Sequence, residues 1–191
     1  MSAPRTPSWN VVVTLRGGFA RMRSLLGRWG WVDRTGLYNV LAVEADDPRA
    51  FLDELHEAVR ADPELLELIG HVAPASETFC FTSAEDFATQ ARAVAERWAE
   101  RLAGRSFHVR MHRRGFKGQI SGLQVEQVLD KALLEAAQAR GTPARISFED
   151  PDVVISIETI RGWAGMGLWT REDLERYPLL AKAFHLDTAA A

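Results

Sequence analysis

Arg105, Arg110, Arg113, Arg114 and Lys117 fall within thirteen residues that contain no acid. In the same stretch Phe107, Val109 and Met111 alternate with His108, Arg110 and His112. As a strand, this segment turns an apolar face to a core and a basic, imidazole-bearing face the other way. Guanidinium forks suit phosphate oxygens, and imidazoles stack on bases or add donors. Gly115 and Gly118 then punctuate a loop that carries Arg113, Arg114 and Lys117. Arg110, His112, Arg113, Arg114 and Lys117 are therefore candidate nucleic-acid contacts. The competing reading is a solvated edge strand that uses charge against aggregation.

Other chemistry finds weaker support. His108 and His112 lie four apart, roughly 13 Å on a strand at about 3.3 Å per residue, too far to share one metal ion. Gly162, Gly165 and Gly167 lack the G-x-G-x-x-G order. Gly17-Gly18 follows a strand and opens a helix, a place for a phosphate, but no G-x-x-x-x-G-K-[ST] is present, and a tight turn is the simpler reading. No Ser, His and Asp set sits in a nucleophile context. Cys80, between Phe79 and Phe81, reads as a buried inert thiol. Asp150 and Asp152 flank Pro151 as a turn before a strand bearing Glu158. No catalytic residue, metal or cofactor is assigned.

Charge is unevenly spread over the 191 residues, whose formal net charge is −3. Residues 1–34 hold six arginines against Asp33 alone, whereas residues 44–67 hold nine acids against Arg49 and Arg60. Arg16, Arg21 and Arg28 join the candidate contacts on this basis. The expectation is that they share one side with the second-half arginines, while the helix of Asp53, Glu54 and Glu57 faces away. A single cysteine excludes an internal disulfide framework, and no apolar run approaches a membrane span. Both point to a soluble cytoplasmic protein without a membrane partner.

The elements that must position these residues are legible as patterns. Trp9–Arg16 alternates as a strand, and Phe19 to Trp29 recurs at helical spacing. A strand over Leu37–Val43 leads to Asp47-Pro48, a helix cap followed by proline. A short helix runs to Ile69 and is stopped by Gly70, a strand covers Thr78–Thr82, and Ser83 caps a long helix ended by Gly104. The first half thus reads β-α-β-α-β-α, with one further weak strand as an alternative. The fold class is α+β, with a ferredoxin-like module over residues 9–104, including a helix over 84–103. A second module, 105–182, holds the basic strand, a helix over Val125–Ala136, strands at Ala144–Phe148 and Val153–Ile160, and a terminal helix capped by Thr170. The tail Ala189–Ala191 is expected to fray.

The run from Ser106 to Gly115 (SFHVRMHRRG), the run from Phe148 to Glu158 (FEDPDVVISIE), the run from Ala164 to Trp169 (AGMGLW) and Arg176-Tyr177-Pro178 together resemble a THUMP domain. The likeness covers roughly residues 75–182. It is strongest to stand-alone THUMP proteins related to the adaptor of tRNA cytidine acetyltransferase. The resemblance implies RNA binding, chiefly of tRNA through its acceptor stem and 3′ end, beside an N-terminal ferredoxin-like domain. It places Arg110, Arg113 and Arg114 in the family's basic first strand, with Lys117 extending the loop. Eleven residues follow Leu180, so the expectation is a non-catalytic adaptor that delivers tRNA to a separately encoded modification enzyme. Two alternatives stand beside it: a small tRNA-modifying enzyme with an unfamiliar active site, and a protein-interaction domain that does not bind RNA.

Overall fold

The computed structural model describes residues 8–185; the tail Ala189–Ala191 lies outside them. The described residues divide into two compact units, 8–74 with 175–185, and 75–174.

In the first unit, β1 (Val11–Leu15) is the buried centre of a four-stranded antiparallel sheet. It is followed by α1 (Phe19–Leu26), β2 (Trp31–Arg34), β3 (Val40–Glu44), α2 (Pro48–Ala61), the single turn α3 (Leu65–Leu68) and β4 (Ile69–Pro74). The strand order is β2-β3-β1-β4, and every pairing is antiparallel. With its βαββαβ sequence this is the ferredoxin-like arrangement. Asp47 caps α2 by accepting from the amides of Arg49 at 2.8 Å and Ala50 at 3.3 Å, as the Asp-Pro signal requires. Gly18 opens α1 at φ +64, where a Cβ would lie 3.0 Å from Leu68 Cδ1, so glycine is needed twice over.

Two strands of this sheet escape a periodicity reading. β2 is short and polar, with Asp33 and Arg34 in four residues. β4 begins at Ile69 and contains Gly70, which marks not only a helix end but a close approach: a Cβ there would lie 3.2 Å from the Thr14 carbonyl oxygen. The strand expected over Leu37–Val43 starts only at Val40, because Asn39 takes a left-handed φ of 54 in the preceding turn.

The second unit is built on β5 (Glu77–Cys80), α4 (Ala84–Arg97), a 3₁₀ turn (Ala99–Leu102), β6 (Ser106–Arg114), α5 (Gly122–Ala139), β7 (Arg145–Ile146), β8 (Val153–Ile160) and β9 (Trp163–Thr170). The sheet order is β5-β9-β8-β6-β7, with β6 parallel to both β8 and β7 and the remaining pairs antiparallel. Two short helices follow, α6 (Arg171–Arg176) and α7 (Pro178–His185).

The boundary expected between residues 104 and 105 is displaced to 75. The reason is the apolar stripe of α4: Phe87, Ala91, Val94 and Ala95 share one core with Phe107, Val109, Leu133 and Ile155. Cutting at 104 would expose that stripe. The expected end at 182 also moves, since Glu175–His185 clusters with the first unit. There Tyr177, only 2 % exposed, donates its hydroxyl to Asp53 of α2 at 2.6 Å, and Arg176 bonds the same oxygen at 2.7 Å.

Candidate nucleic-acid interface

β6 hydrogen-bonds to β8 from Phe107 to Arg114, but β7 covers its other edge only at Ser106 and Phe107. The outward amides beyond that point are taken by side chains of α5. Val109 N–H donates to Asp130 Oδ1 at 3.2 Å, and Met111 N–H donates to Glu126 Oε1 at 2.8 Å. Glu126 and Asp130 are four residues apart, one helical turn, so they meet alternate amides of one strand edge. Two buried carboxylates therefore close the sheet edge in place of a further strand.

These acids change the meaning of the basic face. His108 is 5 % exposed, and neither ring nitrogen has a hydrogen-bond partner. Its Nδ1 lies 3.9 Å from Asp130, and its ring meets Phe148 edge-on at 4.7 Å between centroids. Burial, with Arg110 adding repulsion, holds its pKa down to about 4, so it is neutral near pH 7. Burial likewise pushes the Asp130 carboxyl up to about 6, against the opposing hydrogen bond from Val109. The Arg110 guanidinium lies 4.0 Å from Glu126, with its Nε buried and without a partner.

Further along β6, the parallel register sets His112 opposite Glu158. Glu158, 2 % exposed, accepts from or faces His112 Nδ1 at 2.8 Å and pairs with the Arg114 guanidinium. The side chains of Arg110, His112 and Arg114 are each less than one-fifth exposed. The face expected to be wholly basic and solvated is thus largely buried and met by Glu126, Asp130 and Glu158. None of these three acids was singled out as its counter-charge by the sequence pattern, because they come from α5 and β8.

The cations that do reach solvent sit at the end of β6. Lys117 is exposed and Arg113 partly so, and the Arg113 guanidinium donates to the Gly115 carbonyl at 2.5 Å. Gly115, at φ +120, packs against the β8–β9 turn, where a Cβ would lie 3.1 Å from Arg161 Cα. The Arg161 amide donates to the Arg114 carbonyl at 2.8 Å. Phe116 anchors the loop in the core, 4.9 Å from the ring of Phe81. Arg113, Lys117 and exposed Arg161 consequently share one end of this sheet. Arg161 lies outside the basic cluster in sequence, although Ile160-Arg161-Gly162 between two apolar runs is a turn signal.

In the first unit Arg16, Arg21 and Arg28 are all exposed. Arg21, however, pairs with Asp62 at 2.5 Å and lies 3.6 Å from Glu64. The expected separation of the basic from the acidic segment therefore fails at Arg21, because the acidic segment reaches α1. Arg28 stacks over Trp29, its guanidinium carbon 5.8 Å from the ring centroid.

Two further expectations change. Cys80 is exposed: on the edge strand β5 alternate residues turn outward, and it is Phe79 that packs inward. Asp152 does more than form a turn. It accepts from the Ser106 amide and hydroxyl, both at 2.7 Å, and from Arg171 at 3.0 Å. These bonds hold its carboxyl well below the usual carboxylate range and tie the start of β6 to the start of β8. No helix among the described residues is long and apolar enough to cross a membrane.

Residues 81–168 match the THUMP domain family. The chain is similar in fold to PH1313 from Pyrococcus horikoshii Ot3, with a TM-score of 0.55 and 14 % identity, over 84 % of this chain and 54 % of that one. It is similar to TrmN from Thermus thermophilus, with a TM-score of 0.53 and 18 % identity, over 84 % of this chain and 44 % of that one. It is also similar to a possible methylase from Clostridium difficile 630, with a TM-score of 0.53 and 13 % identity, over 86 % of this chain and 42 % of that one. The chain thus spans about half or less of the length of these structures. No curated protein sequence matches it.

Proposed function

We propose that the chain is an RNA-binding module of tRNA modification. In this reading it grips tRNA at the acceptor stem and 3′ end and presents it, in the cytoplasm, to a separately encoded modification enzyme. The observation that carries the reading is the THUMP match over residues 81–168, on a unit whose loop Arg113–Gly118 and neighbouring Arg161 offer cations to solvent. Phosphate contacts need accessible guanidinium or ammonium groups, not ones already neutralised in the protein. Arg113, Lys117 and Arg161 meet that condition, and Arg16 and Arg28 add to it in the first unit. Arg110, His112 and Arg114 instead support the strand that positions the loop.

The adaptor role draws on the resemblance to the stand-alone THUMP proteins, whose enzyme is a cytidine acetyltransferase. Fluorescence anisotropy with a labelled tRNA transcript tests RNA binding, and the expected result is salt-dependent binding by the purified chain. The adaptor role is tested by incubating homogeneous protein and tRNA with acetyl-CoA, S-adenosylmethionine or ATP. No modified nucleoside is expected in the absence of a partner enzyme; robust turnover would replace the adaptor with an enzyme.

A further inference from the structure

We propose that the first unit carries a separate subsite in which one unpaired nucleotide stacks on Trp31, with its phosphates held by Arg23 and Arg34. The proposal rests on the RNA-binding reading above and deepens it by naming a place for single-stranded RNA.

Trp31 lies on β2, the edge strand of the four-stranded sheet, and is 61 % exposed. Its indole N–H donates to Asp33 Oδ1 at 3.2 Å, which restrains the ring about its side-chain torsions. An indole held this way presents a flat apolar surface at small conformational cost, as a base-stacking platform requires. A cleft of about 440 Å³ opens beside it, lined by Phe19, Arg23, Arg28, Gly30, Trp31 and Arg34. That volume falls in the range of small-ligand clefts.

The arginines around this cleft differ from those on β6. Among the described residues, Arg23, Arg28 and Arg34 form no ion pair, whereas Arg21 on the same helix is paired with Asp62 at 2.5 Å. Arg34 lies over the Phe19 ring at 5.5 Å and Arg28 over Trp29 at 5.8 Å. A guanidinium set flat on an aromatic face keeps its N–H edge for acceptors such as phosphate oxygens. Acids are also present: Asp33 accepts from the indole N–H, and Glu44 and Asp46, with Arg28, line a neighbouring cleft that Trp31 borders. Their charge disfavours phosphate on that side, so the backbone of a stacked nucleotide is directed to the side of Arg23 and Arg34. Two guanidinium groups without an ion pair, a restrained exposed indole and an open cleft occur together, and an anionic ligand with an aromatic face satisfies all of them.

The test uses the full chain with a fluorescein-labelled oligoadenylate octamer and, separately, a labelled tRNA transcript. Base–aromatic stacking predicts that Trp31→Ala weakens octamer binding about tenfold and that Trp31→Phe stays within about threefold of wild type. The double variant Arg23→Ala, Arg34→Ala should flatten the salt dependence of octamer binding by about 1.4 in slope, at about 0.7 per phosphate on a single strand. The wild-type indole N–H resonance of Trp31, assigned by its loss in Trp31→Phe, should shift on octamer addition, a readout that needs no destabilised variant. Octamer binding unchanged by Trp31→Ala, with a static Trp31 resonance, would overturn the subsite. Binding of tRNA but not of the octamer would overturn it and leave the RNA-binding reading standing. Binding of neither would overturn both.

Discussion

Arg114 on β6 and Glu158 on β8 form an ion pair between neighbouring parallel strands, and Glu158 is 2 % exposed. The same carboxylate lies 2.8 Å from His112 Nδ1. A guanidinium held this way is spent on the protein itself. The basic character of β6 is real in composition, but much of it neutralises acids that the fold buries.

Removing that carboxylate should be costly. Glu158→Ala leaves the largely buried Arg114 guanidinium without this counter-charge, a loss of about 3 kcal/mol by comparison with broken buried pairs. Urea unfolding of the variant against wild type checks this. A change below about 1 kcal/mol would show that the pair is solvated and expendable.

His108 and Asp130 should give opposite pH dependences. His108 has a pKa lowered to about 4, so its contribution to stability is present above the unfolded value near 6.5 and lost as pH falls toward 4. Asp130 has a pKa raised to about 6, so its contribution is present below the unfolded value near 3.9 and lost as pH rises through 6. In wild type the two slopes oppose each other between about pH 4 and 6. His108→Phe should therefore become more stable, relative to wild type, as pH falls through this window. Asp130→Asn should become less stable. Each effect is about 2–3 kcal/mol at most, and denaturant midpoints at pH 4.5 and 7 measure it; slopes of the same sign in both variants would contradict the assignment.

The segment Glu175–His185 belongs to the first unit through Tyr177. Tyr177→Phe removes the hydroxyl that donates to Asp53 at 2.6 Å and should cost about 2 kcal/mol, the scale of a hydrogen bond to a charged group. Because Tyr177 packs against α2 in this unit, limited proteolysis should cut the variant faster within residues 175–185. Cleavage at the wild-type rate would show that the helix is held by other contacts.

The sequence made the single elements visible more readily than their grouping. β1, α2, α4, β6, α5 and β8 stand out because each has a clear apolar stripe or run, and the caps Asp47 and Ser83 mark helix starts. β2 has no such signal, and Gly70 hides the start of β4. The domain boundary is hidden because Gly104 looks like a break, although α4 on its near side shares its core with β6 on its far side. For the site, spacing identified Arg113 and Lys117 in a loop bounded by glycines. It did not show which arginines are free, since Glu126, Asp130 and Glu158 reach β6 only through tertiary pairing. Arg161 is hidden for the same reason: its nearness to Gly115 arises from a contact between two loops.

The central claim is that exposed cations, not the buried ones of β6, hold RNA. Its most direct measurement is the affinity for a labelled tRNA transcript across a series of salt concentrations. For wild type, the account predicts a linear fall of log affinity with log salt. In Arg113→Ala, Lys117→Ala, Arg161→Ala combined, the slope should flatten by about 2 to 3, at about 0.9 per duplex phosphate contact. An Arg114→Ala control should retain the wild-type slope while losing stability. Salt-independent binding, no binding, or a triple variant with the wild-type slope would contradict the account.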